Sequence, residues 1–170
     1  MLLAFRVTIL WLHLVGVFIW IGGLVFQLLV ATPVLWRATS TYDCIRLGLS
    51  FEARFRTVIW PVVGVVLFTG LTNLLNVWYT TTLAGGSLPP KFVQVLSIKV
   101  LLVVGMVVVQ AMHHFAVQPR GVALLRHVSP TVPELPPALL RLQRVALGLR
   151  LLMLSLAALI LGCALLLHGV

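Results

Sequence analysis

Four apolar stretches dominate the sequence, near residues 5–31, 58–79, 92–117 and 143–168, and they limit what it can fold into. About 20 apolar residues cross the hydrocarbon core of a bilayer as a helix, and each stretch reaches that length. The residues between them do not offset this character. The chain is 61% hydrophobic and 9% charged, with a mean hydropathy of +1.16. That composition excludes an ordinary soluble domain. The expected fold is all-α: a polytopic membrane four-helix bundle, up-down-up-down, forming a single domain over residues 1–170. The first stretch is longer than the roughly 7–15 residues of a signal-peptide core, so it is expected to stay as a helix.

A formal net charge of +9 raises the question of nucleic acid, and the placement of the charges answers it. Segment 31–57 holds Arg37, Arg46, Arg54 and Arg56, and segment 117–144 holds Arg120, Arg126, Arg141 and Arg144. The 79–92 connection offers Lys91 and the N-terminal segment Arg6. Lys and Arg collect on the cytoplasmic side of membrane proteins. The first and third connections are therefore expected inside and both termini outside, in a bacterial inner (plasma) membrane, with no nucleic-acid partner. Cys44 and Cys163 then fall on opposite sides, which rules out an intrachain disulfide. The 31–57 segment is partly amphipathic and suggests a short interfacial helix. TTTLAGGSLPPK reads as an external turn, and SPTVPELPP as a stiffened third connection.

Ionisable residues inside a membrane are rare and mark functional candidates. His13 stands in WLHLVGVFIWIGG, Lys99 in the third stretch and Arg150 in the fourth, with His113, His114 and His168 near stretch ends. At about 100° per residue, Lys99, Met106, Gln110 and His113 share one face, and His114 points away from it. His13, Gly16, Trp20 and Gln27 form a stripe on the first helix, with Gly23 at its edge. Two polar levels follow, roughly 20 Å apart by helical rise. The outer one holds His13, Lys99, Asn76 and His168, and the inner one Gln27, Gln110, His113 and Arg150. Small residues such as Gly16, Gly23, Ala157 and Ala164 either let helices approach or leave room for a flat ligand.

Asp43, Glu52 and Glu134, the three acidic residues, all read as connection residues, which leaves Lys99 without a carboxylate partner. It is then neutral, hydrated or facing an anionic guest. His13 alone is explained by a hydrogen bond to Asn76 or a backbone carbonyl. With Lys99 at the same height, a haem becomes attractive. It offers an axial site to nitrogen ligands and propionates to cations such as Arg150 and Arg54. Copper is the alternative, through Met106, Met112, His113 and His114, although methionines in such helices also serve as plain packing. No nucleophile arrangement or paired carboxylates point to hydrolysis.

LH followed by WIGG, with His13, Trp20, Gly22 and Gly23, resembles the first helix of the copper-resistance D (CopD) domain family. FEARFR (51–56), LFTGL (67–71) and VLSIKVLLVVG (95–105) resemble later segments of that family in the same order, covering residues 8 to about 118. A more distant likeness is to the HemJ-type protoporphyrinogen oxidases, which bind haem b through a first-helix His and need a third-helix Lys. His13 and Lys99 fall on those two positions, although FQLLVATPVL stands where that family has Leu-Pro-Arg-Leu.

The resemblance implies an integral membrane haem b-binding protein of the CopD-like group that acts in electron transfer. It would serve as a small subunit of a redox complex or as a porphyrinogen oxidase, an oxidoreductase. The expected cofactor-binding residues are His13, Lys99, Trp20, Gly16, Gly23, Asn76, Arg150, His113 and His168, with His13, Lys99 and His113 as metal ligands. Expected partners are membrane lipids and a larger membrane redox complex or a second copy of the chain. Copper transport or resistance, and a structural subunit without cofactor, are the alternatives.

Overall fold

The computed structural model describes residues 2–38, 40–128 and 136–168, excepting the side chains of residues 2, 3, 36, 38 and 168. Four long helices make up nearly all of it, and no strand occurs among the described residues. The first runs from Leu2–Phe26 through a π-helical turn, Gln27–Ala31, into Thr32–Ala38. The second is the unbroken Thr41–Leu83. The third runs from Pro90–Ala111 through a second π turn, Met112–Val117, into Gln118–Leu125, and the fourth is Pro137–His168. Each is long and apolar enough to cross a membrane, as a multi-pass membrane protein requires.

The expected helix bounds are too short. No connection spans 31–57, because the first helix continues to Ala38 and the second begins at Thr41, 17 residues before the expected 58. The physical reason lies at Ser40. Its hydroxyl accepts the Asp43 backbone N–H at 3.2 Å and donates to the Asp43 carboxylate at 2.8 Å, a reciprocal cap. Asp43 also places a negative charge in the first turn, where the helix dipole favours it. The amphipathic pattern of this segment is spent on Ile45, which packs with Leu125 and Leu139 in a small satellite core. At 1.5 Å per residue the 43-residue second helix is about 65 Å long, roughly twice the hydrocarbon thickness, so much of its arginine-rich half extends beyond that layer. Pro61 lies within this helix.

Both π turns stop two residues before a proline, Pro33 or Pro119. A proline ring inside an α-helix clashes with the carbonyl four residues back and leaves it without a donor. The wider π turn relieves that crowding and lets the helix continue.

The first helix packs closely on the second and the third on the fourth, and the two pairs meet in a central core. That core contains Trp20, Leu24, Ile59, Val63, Met106, Met153 and Ala157. Glycines set the closest approach. A Cβ on Gly16 would lie 2.6 Å from Val66 Cγ2, and one on Gly23 2.7 Å from the Phe55 ring. Of the two uses foreseen for these glycines, the structure shows helix approach, since second-helix side chains fill the space above them. Large apolar side chains such as Phe18, Phe68, Leu101 and Leu165 point outward, as a lipid-facing surface requires.

Candidate functional site

The bundle has two polar centres, one toward the chain termini and one toward the arginine-rich end. His13 anchors the first. Its Nδ1 lies 3.1 Å from the Val66 carbonyl and 3.0 Å from Thr69 Oγ1. Thr69 donates its own hydroxyl to the Val65 carbonyl at 2.7 Å, so toward His13 its oxygen accepts. Both partners of Nδ1 are acceptors, and Nδ1 must carry the proton. In the neutral ring the lone pair then resides on Nε2, which has no hydrogen-bond partner among the described residues. Gly70 makes the approach possible, because a Cβ there would stand 3.1 Å from His13 Cε1. The partner is therefore a backbone carbonyl together with Thr69, rather than Asn76.

Lys99 is half-buried and within electrostatic reach of His13, the level at which the sequence placed it. Asn76 is half-buried on the second helix, while the side chain of His168 lies outside the described residues. Packing around this centre is thin. Among the described residues none of 91–105 on the third helix, none of 70–83 on the second and none of 161–167 on the fourth is buried. Val66 and Thr69 beside His13 are buried, as is Ile9 above it on the first helix, so the sparse burial lies on the other three helices beyond Thr69.

The second centre joins all four helices. Trp20 Nε1 donates to Gln110 Oε1 at 3.3 Å, which turns the Gln110 amide nitrogen toward His114 Nε2, 3.1 Å away. That His114 nitrogen must accept. The His114 ring sits edge-on to Phe55 and Trp60 and beside His113, with ring centroids 5.3 Å apart. His113 Nε2 lies 3.9 Å from Glu52 Oε1, and Glu52 is ion-paired with Arg150. Trp20, Gln110 and His114 thus form one hydrogen-bonded chain and Glu52 with Arg150 an ion pair, with the His113 ring beside both and hydrogen-bonded to neither.

Three expectations fall here. Glu52 is not a connection residue. It is buried in the second helix, and Asp43 is helical as well, while Glu134 lies outside the described residues. Arg150, expected to wait for a propionate, already has its counter-charge in Glu52. His114 does not point away, since it is as buried as His113, at 2% exposure each. The π turn Met112–Val117 rotates less per residue than the 100° of an α-helix, which brings both imidazoles inside.

A cleft of about 310 Å³ opens beside this second centre, lined by Glu52, Gln118 and Arg150 together with leucines such as Leu139 and Leu147. Several buried polar atoms around it have no partner among the described residues: Gln118 Oε1, Arg150 Nε and both His113 ring nitrogens. Sequence reasoning passed over Gln118 and Glu52. The signal available was the FEARFR string, in which Glu52 recurs with Phe55 on one helical face.

No family model matches this chain, and no curated protein or solved structure is similar to it.

Proposed function

We propose that this chain binds haem b at His13 and acts in electron transfer within a membrane, as a small subunit of a redox complex or as a porphyrinogen oxidase of the CopD-like or HemJ-like kind. The observation that carries the reading is the donor accounting at His13. Metal-ligating histidines donate their second ring N–H to a carbonyl or similar acceptor, which fixes the ring and directs the other lone pair to the metal. Val66 and Thr69 supply such acceptors, and Nε2 is left over. The sparse burial on the second, third and fourth helices beyond Thr69 supports the reading, because a flat apolar group would complete the burial that the side chains leave undone.

These residues fit the group. His13 would hold the iron through Nε2, and Lys99 would be the second ligand or face a propionate. Trp20 and Asn76 would be its neighbours below and beside it. Bound there, haem would supply a one-electron couple. The chain's own part is to orient the imidazole, exclude water and offer Lys99 as a cation. Arg150 and His113 belong to the other centre, and Gly16 and Gly23 serve helix approach.

The arginine-rich end faces the cytoplasm in this reading and both termini face outward, in a bacterial plasma membrane, by the distribution of Lys and Arg. The copper alternative has less support, since Met112 is 52% exposed while Met106, His113 and His114 are buried, so the four donors do not converge. An absorption spectrum of the detergent-purified protein tests the reading. Reduced-minus-oxidised Soret and alpha bands are expected, and His13→Ala should remove them while Arg46→Ala, exposed at the other end of the bundle, keeps them. A colourless protein, or bands that survive His13→Ala, would overturn it.

A further inference from the structure

At the arginine-rich end a groove of about 330 Å³ runs between the second helix and the Gln118–Leu125 segment of the third. Half-buried Leu49, Ala53 and Val122 give it an apolar lining. Arg46 of the second helix and Arg126, just past Leu125, are exposed and line the same groove, with the Tyr42 phenol as a further donor. No carboxylate lines it. Asp43 pairs with Arg46 at 3.2 Å, but the two side chains are 42% and 59% exposed. An exposed pair is weak, and a guanidinium carries five N–H donors, so Arg46 can still take a second anion. Arg126 has no ion pair among the described residues.

The height of the groove narrows its occupant. Gln118 Nε2 donates to the Leu49 carbonyl at 3.4 Å, so the apolar stretch of the third helix, which ends at 117, finishes level with Leu49. Phe26, near the end of the first stretch, meets the Phe51 ring at 6.3 Å and gives the same level. Arg46 lies about 4.5 Å farther out by helical rise. Leu125 packs with Ile45, which brings Arg126 to the height of Arg46. The polar layer of a bilayer adds roughly 5–8 Å on each side of the hydrocarbon core. Both guanidiniums thus fall at headgroup depth, while Ala53, one turn inward of Leu49, falls at acyl depth.

An acidic protein would satisfy the arginines but not the apolar lining beneath them. An amphipathic anion satisfies both. We infer that the groove binds an anionic phospholipid, its phosphate held by Arg46 and Arg126 and its upper acyl chain against Leu49, Ala53 and Val122. Basic pockets between membrane helices recognise such headgroups. Arg37, Arg54, Arg120, Arg141 and Arg144 are exposed at the same end, so a headgroup with net negative charge is favoured over a zwitterion. The site stands apart from the haem reading, because His13 lies at the other end of the bundle.

Native mass spectrometry of the detergent-purified full chain, titrated with dioleoyl phosphatidylglycerol or dioleoyl phosphatidylcholine, tests this. One saturable phosphatidylglycerol per chain is expected, with phosphatidylcholine about tenfold weaker. Arg46→Gln combined with Arg126→Gln should weaken phosphatidylglycerol about tenfold or more, the scale of two arginine contacts to a headgroup. Arg37→Gln combined with Arg141→Gln removes the same charge from the same end but outside the groove, and should change binding less than about twofold because distant exposed charges are screened. All four side chains are exposed, so neither pair of changes is expected to disturb the fold.

Equal binding of the two lipids, or equal loss in the two double variants, would overturn the site, since a general positive potential would then explain the attraction. Displacement of the lipid by inorganic phosphate or by a poly-aspartate peptide at equal concentration would overturn the lipid as the occupant.

Discussion

The two polar centres solve the problem of polarity in oil in opposite ways. At the arginine-rich end, polar groups reach across helices, Trp20 to Gln110 and Arg150 to Glu52, while Gln110 also meets His114 on its own helix. At the end near the termini, His13 bonds to the neighbouring second helix through Val66 and Thr69, and its other nitrogen has no hydrogen-bond partner among the described residues. The arginine-rich centre is tied together by side chains from all four helices, whereas the His13 centre is held from one neighbour and keeps one ring nitrogen unpaired among the described residues. The difference teaches that an intramembrane ionisable residue is read best by what its partners leave unsatisfied.

The sharpest way to break this comparison is Arg150→Leu. It strands a buried carboxylate, and loss of one member of a buried ion pair costs about 3–5 kcal/mol. A strongly lowered unfolding midpoint in detergent is expected, and the double change Arg150→Leu with Glu52→Met should recover most of it, since replacing both charges by apolar groups is often neutral. A double variant as unstable as the single one would show that the pair is not what matters there. Gln110→Leu comes next. It removes the acceptor of Trp20 and the donor facing His114 in a sealed interior, for a loss of about 1–3 kcal/mol in the same unfolding assay. Thr69→Val should have the smallest effect, under about 1 kcal/mol, because Val66 still accepts from His13 and the centre is only half-buried. If Thr69→Val proves as damaging as Gln110→Leu, the contrast between the two centres fails.

How much of this was legible in the sequence varies by residue. His13 stood out as an imidazole in an apolar run, and Lys99 at its level followed from counting helical rise. The segment LFTGL already contained the histidine's partner, but the pairing is not visible in one dimension. Thr69 and Gly70 matter because they sit across from His13, 56 and 57 residues away in the chain. Glu52 was misplaced because a carboxylate between arginines in FEARFR looks like a solvated stretch. Only the arrival of Arg150 from the fourth helix makes its burial tolerable. His114 was misread because constant rotation per residue was assumed through a segment that winds as a π turn.

Hydropathy alone determined four apolar helices and their alternating direction, because the transfer of whole segments into oil is a sum over many residues and tolerates local error. The tertiary structure decided everything that depends on a single pair: which carboxylate is buried, which nitrogen of His13 is free and which glycines admit a neighbour. Those outcomes rest on distances of a few ångströms between residues far apart in sequence, and no sum over composition contains them.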